Sequence, residues 1–250
     1  MDLSICSYSF HRLLADGKQD MFKYIADCKE LGATLLDPWN AHLAPLQDSE
    51  TVLQAGSDPE NAQLFPQQEE YLERVKRAAD DAGLPFGCIA VDGAHIYEPT
   101  PEARQANRAL AYQWLEVADR LGARQIRIDA GGPEEMPDDV FQIIIQGYWD
   151  LVARGRGKGI EILMENHFGP SRIPENVVKI MEAVDGLGLL FDTTTGHPVC
   201  GREAGRCVPG TRQPRTSKRL HSTTKGMSPR WTFRKRCTSS WMPDMTVVGA

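Results

Sequence analysis

The chain of 250 residues lacks the features of membrane and secreted proteins. It has no apolar run long enough to span a bilayer, and its first residues, MDLSICSYSFHR, do not place a basic segment before an apolar one as a signal peptide does. Its six cysteines form no CxxC pair, which argues against a disulfide framework or a zinc site. We therefore expect a cytoplasmic protein with free thiols and no membrane partner, in which Cys6 and Cys28 are packing residues.

The glycine motifs of nucleotide-binding folds are also missing. The first predicted strand, residues 3–9, leads into SYSFHRLLADG, which contains neither GxGxxG nor GxxxxGK. An open, doubly wound sheet usually carries such a loop at this point, because the loop binds the phosphates of its ligand. The sequence therefore does not favour that architecture.

What the sequence does have is a regular alternation of apolar strands and amphipathic helices. Asp20 is a candidate N-cap of the first helix and Gly32 its end. The connections are too long for hairpins, so the strands should run parallel with right-handed crossovers. The predicted strands cover 3–9, 33–38, 85–92, 123–132, 160–169 and 187–193, and the predicted helices cover 20–32, 66–83, 100–122, 137–159 and 173–186.

Polar and ionisable side chains gather at the carboxyl end of nearly every predicted strand. A (β/α)8 or TIM barrel places its chemistry there, using the ends of many strands. We therefore predict an α/β fold of the TIM (β/α)8-barrel type, of which six of the eight units can be recognised in the sequence. The strand-end residues are His11, Asp37, Trp39, Asn40, His42, Asp92, His95, Arg127, Asp129, Glu165, His167 and Asp192.

The composition changes abruptly near residue 196. Residues 197–250 hold 11 of the 28 Lys+Arg but only 2 of the 34 Asp+Glu, a net charge of +9 against −15 for residues 1–196. The later segment has no isoleucine, and Leu220 is its only leucine. Five aliphatic residues are too few for a core. The sequence thus predicts an incomplete barrel over 1–196 and a basic, poorly ordered tail over 197–250 without a regular seventh strand.

Five segments, SYSFHR, LDPWNAH, LGARQIRIDAGG, EILMENHFG and LLFDT, occur in order at one-strand intervals. In these the chain resembles the sugar phosphate isomerase/epimerase family of xylose isomerase-like TIM barrels, over about residues 1–196. The resemblance implies one divalent metal, Mn²⁺, Mg²⁺, Co²⁺ or Zn²⁺, held by Glu, Asp, His and Glu from strands five to eight. Glu165 and Asp192 match the first two ligands, and Glu165 would also be the catalytic group that moves a proton between carbons.

The other two ligands have no counterpart in the tail. When the tail is back-translated and each triplet is started on the third base of a codon, RTSKRLHSTTKG can encode HIKATTFDDEGN. In the same shifted frame WMPDMTVV can encode DAGYDG, and because Trp and Met have single codons, two Asp and one Ala of that segment are forced. These segments are similar to the family's seventh strand and its lead into the eighth. Our hypothesis is a frameshift near residues 194–200, and the alternative is a genuine disordered basic tail.

The remaining candidates are substrate-binding residues: His11, Trp39, His95, Arg127 and His167. His167 lies two residues beyond Glu165 and should face the same side. Arg127 could anchor a phosphate or carboxylate, or pair with an acidic neighbour in the barrel. Trp39 could stack on a sugar or cap the core. His11, His42 and His95 carry weaker signals.

These observations predict a metal-dependent isomerase or epimerase of a small-molecule sugar or sugar derivative, impaired here because the seventh-strand His and eighth-strand Glu are absent. The sequence leaves open whether the chain forms a homo-oligomer. The alternatives are an apurinic endonuclease-like phosphodiesterase and a non-catalytic ligand-binding relative. The acidic barrel segment would be a poor surface for nucleic acid, so no nucleic-acid partner is expected.

Overall fold

The computed structural model describes residues 2–46, 66–193 and 247–249 of the chain. Five long helices follow the first five strands, and a one-turn helix, His11–Ala15, precedes the first of them. The helices are α1 (Met21–Glu30), α2 (Pro66–Ala82), α3 (Pro101–Leu121), α4 (Asp138–Lys158) and α5 (Pro174–Ala183). The strands are β1 (Ser4–Cys6), β2 (Leu35–Asp37), β3 (Cys88–Val91), β4 (Gln125–Ile128), β5 (Glu161–Glu165), β6 (Gly188–Phe191) and β7 (Val247–Gly249).

All the described strands run parallel and neighbour one another in chain order. β1 pairs with β2, and β3 to β7 form a five-stranded sheet in sequence order. Two isolated parallel bridges, Leu36 with Phe86 and Trp39 with Ala90, join β2 to β3. A doubly wound sheet would reverse its strand order in the middle, whereas a barrel keeps it. The predicted six-unit TIM-type arrangement is confirmed.

Local sequence signals set the helix bounds. The Asp20 side chain accepts a hydrogen bond from the Lys23 backbone N–H at 2.8 Å, as a cap of α1 should. Thr100 does the same for α3 through the Ala103 N–H at 3.2 Å, and Gly122 ends that helix at a φ of 70°. The strands are shorter than predicted because their polar ends leave the ladder and form loops.

Each strand divides its side chains between the helices and the barrel interior. Ile126 and Ile128 of β4 join the hydrophobic core beneath the helices, as do Ile162 and Met164 of β5. Arg127 and Glu165 occupy alternate positions of the same strands, so they face the interior. The alternation therefore directs one cation and one carboxylate into the space enclosed by the strands.

One three-residue strand after residue 197, which the sequence did not predict, is present. Val247–Gly249 extend the sheet as β7, with Leu189 opposite Val247 and Phe191 opposite Gly249. β-branched residues favour strands, so two consecutive valines can form a short strand even in an otherwise basic segment. Residues 194–246, on which the predictions of a poorly ordered tail and a frameshift rest, lie outside the described residues.

Within the part of the chain that the structure describes, no helix is both long and apolar enough to cross a membrane.

Candidate active site at the carboxyl ends of the strands

Arg127 of β4 is the centre of a buried ionic network. Its Nη1 donates to the Val91 carbonyl at 3.0 Å, to Asp92 Oδ1 at 2.9 Å and to Asp129 Oδ2 at 2.7 Å. Its Nε lies 3.0 Å from Glu165 Oε2, an ion pair that lacks hydrogen-bond geometry. Only 6% of the side chain is exposed. One guanidinium thus holds together the ends of β3, β4 and β5.

The network contains more negative than positive charge. Burial acts to lower the pKa of Arg127, but the charges of Asp129, Glu165 and Asp92 outweigh burial and raise that pKa. Burial raises the pKa of Asp129, although Arg127 opposes this. Three carboxylates around one guanidinium leave an excess of negative charge in a site of low dielectric. Such a site favours an additional proton or cation.

This environment shifts the pKa of Glu165 into the neutral range. Its burial, followed by the charges of Asp129, Asp192 and Asp92, raises its pKa to about 7 against the opposing effect of Arg127. A carboxyl group with this pKa exists in both protonation states at neutral pH. Glu165 can therefore both accept and donate a proton under ordinary conditions.

His167 lies on the same side as Glu165, as the two-residue spacing predicts. Its Nδ1 is 3.6 Å from Glu165 Oε2, and its ring centroid is 3.8 Å from that of Phe168. Neither His167 Nδ1 nor Asp129 Oδ1 has a hydrogen-bond partner among the described residues, although both atoms are buried. Buried polar atoms are normally satisfied, so these two atoms have unused capacity to bind a polar ligand, water or ion.

An aromatic group borders the ionic network. Trp39 Nε1 donates to Asp92 Oδ2 at 2.7 Å, which joins the indole to the ionic network. The ring centroid of Tyr8 lies 4.5 Å from that of His11 in a stacked pair and 5.2 Å from that of Trp39, edge to face. Tyr8 is 54% exposed. Three rings thus present apolar surface beside a polar, buried cluster.

His42 lies beneath this aromatic group rather than at the mouth. Its Nδ1 is 3.0 Å from Ser7 Oγ, which in turn accepts from the Trp39 backbone N–H at 2.8 Å. Since Ser7 Oγ accepts that bond, it is free to donate its own proton to His42. Burial lowers the pKa of His42, so the ring is neutral near pH 7. The pair fixes the loop that carries Trp39.

His95 lies in the loop after β3. Its Nδ1 is 3.3 Å from Glu98 Oε1, and it lines a cavity of about 310 Å³ together with Tyr97 and Gly132. The adjacent Gly131 has a φ of 66°, and a Cβ there would lie 2.5 Å from the Tyr97 carbonyl. Glycine is therefore required for these loops to meet. The charge of His95 still acts to lower the pKa of Asp129, so the two are near neighbours.

Asp192 directly follows β6 and is fixed by Asn166. The Asn166 amide accepts from the Asp192 N–H and donates to the Asp192 carbonyl, both at 2.7 Å. The charge of Asp192 contributes to the raised pKa of Glu165, which places the two carboxylates within electrostatic reach. Glu165 is the last residue of β5 and Asp192 the first residue after β6, so both lie at the same end of the sheet.

The donors at this end fit a divalent cation in chemistry. Two carboxylates and an unpartnered imidazole nitrogen are ligands that Mn²⁺, Co²⁺ or Zn²⁺ accept, and the excess negative charge favours a cation. Within residues 2–46, 66–193 and 247–249, however, no three His, Cys, Asp or Glu residues converge as a group that could hold a metal ion. The described residues alone therefore form no complete metal site.

The family model for xylose isomerase-like TIM barrels matches residues 25–206. The chain belongs to this family. The match contains β2 to β6 and all five long helices except the first four residues of α1. It therefore includes the network around Arg127 and both candidate metal ligands.

Solved structures show the same fold. The chain is 16% identical to the probable 3-DHS dehydratase AsbF of Bacillus anthracis, over 78% of this chain and 64% of that one, with a TM-score of 0.57. It is 14% identical to D-psicose 3-epimerase of Clostridium cellulolyticum H10, over 77% and 71%, with a TM-score of 0.53. It is 16% identical to a xylose isomerase domain protein of Planctomyces limnophilus, over 73% and 63%, with a TM-score of 0.51. The chain thus spans about two thirds of the length of such relatives, and no curated protein matches it.

Sequence patterns placed the strand ends but not the partnerships between them. Asp92 and Asp129 were visible only as strand-end carboxylates, and the structure shows that they share Arg127 with Glu165. For Arg127 the acidic pairing that the sequence left open is present, while contact with a substrate stays a prediction. Tyr8 and Asn166 carried no signal of their own beyond their position next to candidate residues.

Proposed function

We propose that this chain has the active-site framework of a metal-dependent isomerase or epimerase that acts on a sugar or sugar derivative. The observation that carries the proposal is the buried cluster of Arg127, Asp129 and Glu165, in which the pKa of Glu165 is about 7. Both reactions move a proton to and from carbon. A buried carboxyl group that changes protonation near neutral pH is suited to that task.

Each neighbour of Glu165 has a distinct task in this proposal. Arg127 holds the carboxylate in place and limits the rise of its pKa, since its positive charge favours the ionised form. His167 Nδ1, 3.6 Å from Glu165 Oε2, can donate to or accept from a substrate hydroxyl beside the reacting carbon. Asp129 completes the charge around Arg127 and need not touch the substrate.

Glu165 and Asp192 would hold the metal, together with ligands from outside the described residues. When bound, such a metal polarises a carbonyl and its adjacent hydroxyl. The chain's own residues orient the sugar: the rings of Tyr8, His11 and Trp39 offer apolar faces, on which the C–H faces of a sugar can pack. His95 would contact the more distant end of a substrate through the cavity that it lines.

We further propose that the reading frame changes near residues 194–200. Three features support this: the net charge changes sign there, aliphatic residues become rare, and the family match ends at residue 206. On this proposal the chain as written binds metal weakly, because two of the four ligands that the family resemblance implies are replaced. The nucleotide sequence around codons 190–200 tests the proposal directly.

Solvent exchange at carbon tests the catalytic proposal. The chain with its frame restored is incubated with Mn²⁺ and a panel of aldoses and ketoses in D₂O, and deuterium at the carbon next to the carbonyl is measured. We expect exchange that Glu165→Gln abolishes and that Glu161→Gln does not, because Glu161 is an exposed residue at the opposite end of the same strand. Exchange that survives Glu165→Gln would remove Glu165 from the mechanism.

A further inference from the structure

Two asparagines at the barrel mouth make the same pair of hydrogen bonds. Asn166 accepts from the Asp192 backbone N–H and donates to its carbonyl, both at 2.7 Å. Asn40 accepts from the Asp92 N–H at 3.2 Å and donates to its carbonyl at 3.0 Å. Each asparagine lies beyond the end of one strand, and each aspartate is the first residue after the next strand.

In each pair, the asparagine side chain takes the place of one backbone residue in the hydrogen-bond ladder of the sheet, and we call this arrangement a sheet rung. The backbone ladder between β5 and β6 ends with Glu165 opposite Leu190, and the Asn166 side chain then continues it for one residue. A carboxamide carries one donor face and one acceptor face in a single plane, as a peptide group does. An aspartate at the same place would have acceptors only and could not donate to the carbonyl.

This substitution of side chain for backbone has a structural purpose. A strand that turns away normally leaves the N–H and C=O of its neighbour unpaired, and unpaired backbone groups are costly when buried. With the asparagine in place, the chain after Asn166 leaves the sheet toward His167 and Phe168 while Asp192 keeps both bonds. The loop after Asn166 can therefore leave the sheet, while the backbone of Asp192 stays hydrogen-bonded.

The two aspartates fixed in this way both belong to the site. One carboxylate oxygen of Asp92 accepts a hydrogen bond from Trp39 Nε1 at 2.7 Å, and the other accepts one from Arg127 Nη1 at 2.9 Å. Asp192 is one of the two candidate metal ligands and acts on the pKa of Glu165. An aspartate that serves two partners, or one ion, must have its Cα held in place.

We propose that Asn40 and Asn166 are positioning residues with one shared role: each carboxamide replaces a missing sheet rung and thereby fixes an aspartate at the barrel mouth. Asn40 fixes Asp92 and, through it, the orientation of the Trp39 indole. Asn166 fixes Asp192 for the cation. The second half rests on the proposed function, whereas the first half does not.

The matched variants Asn166→Ala and Asn40→Ala separate the two halves in the full-length chain. Backbone amide exchange should become at least roughly tenfold faster at Asp192 in Asn166→Ala alone, and at Asp92 in Asn40→Ala alone, because each variant removes one acceptor. The Trp39 indole N–H signal in ¹H–¹⁵N spectra, assigned with Trp39→Phe, should shift only in Asn40→Ala. Mn²⁺ affinity, measured by the loss of the free-ion paramagnetic signal, should fall roughly tenfold only in Asn166→Ala, as for other partners that orient a ligand.

The proposal is supported if each variant changes only the readouts assigned to it, and it is overturned if both variants behave alike. If both variants lose stability equally and leave the Asp amides, the indole signal and the Mn²⁺ affinity unchanged in the folded protein, the asparagines are merely structural. If neither the full-length chain nor the chain with its frame restored binds Mn²⁺, the metal part of the proposed function fails, while the exchange rates and the indole signal still decide the positioning role.

A second pair of variants covers the case in which an alanine variant does not fold. Asn166→Asp and Asn40→Asp keep the acceptor for the aspartate N–H but remove the donor to its carbonyl. The amides of Asp192 and Asp92 should then stay protected in the corresponding variants. Loss of protection in these variants as well would contradict the rung geometry.

Discussion

Residues 1–196 and residues 197–250 differ in nearly every property that a parallel barrel needs. The first segment has a net charge of −15 and aliphatic residues spaced for strands and helices, and its strands pair in chain order. The second has a net charge of +9 and five aliphatic residues, of which Val247 and Val248 lie in the only short strand that the structure describes there. The comparison teaches that charge and aliphatic content change together where the family pattern stops.

The difference also bears on function. Three acidic residues of the first segment, Asp92, Asp129 and Glu165, surround Arg127 at the carboxyl ends of the strands. On the proposed function, a complete site would draw further ligands from residues after β6. The two segments can therefore be tested separately, the first for its chemistry and the second for its contribution to binding.

Restoring the reading frame should have the largest effect. Replacing residues 197–250 with the translation of the shifted frame should tighten Mn²⁺ binding by more than ~100-fold, because losing even a single partner that only orients a ligand costs ~10–100-fold. Metal titration of both forms measures this. Equal affinities would show that the tail as written is the native one, and the contrast between the two segments would lose its explanation.

Removing the guanidinium should have the next largest effect. Arg127→Met leaves Asp129 and Glu165 buried without their cation, and it should lower the free energy of unfolding by about 3–5 kcal/mol at pH 7.5. Urea unfolding measures the change. Arg124→Met, which removes an exposed pair with Asp2 at 3.5 Å, should change stability by less than about 1 kcal/mol. A similar small change in both variants would mean that the buried network does not hold the strand ends.

The sequence was sufficient for the fold because the fold rests on periodic, local signals. The caps at Asp20 and Gly32 and the apolar alternation of β4 specify elements without knowledge of their neighbours. The site depends on contacts across the barrel: Arg127 and Glu165 are 38 positions apart in the sequence, and no spacing rule links them. A strand-end position could identify both as candidates, but the burial that raises the pKa of Glu165 follows only from the packed strands. The three-residue β7 was missed because two valines in a basic segment carry almost no periodic signal.

Protonation of Glu165 should make stability fall as pH rises. Its pKa is about 7 in the folded chain and about 4.5 when unfolded, so the folded state binds the proton more tightly. This contribution is fully present below pH ~4.5 and is lost as the pH rises to ~7, by about 3 kcal/mol. Unfolding free energies between pH 4.5 and 8 should show this slope in the parent chain and lose it in Glu165→Gln. The Glu161→Gln variant should keep it, and a slope that persists in Glu165→Gln would assign the proton to another group.

Deleting the second segment should have the smallest effect. A chain that ends at residue 196 loses β7, whose three residues add a short ladder to β6, and it loses few other aliphatic residues. The free energy of unfolding should therefore change by less than about 2 kcal/mol, since the few backbone hydrogen bonds of β7 contribute about 0.5–1.5 kcal/mol each and ordering the strand costs part of this. Urea unfolding of the two chains measures the difference. A control deletion from residue 187 onward, which removes β6 and the partner of β5, should unfold the protein. A loss well above 2 kcal/mol on deleting 197–250 would show that the basic segment packs against the barrel, and the two segments would then form one folding unit despite their different compositions.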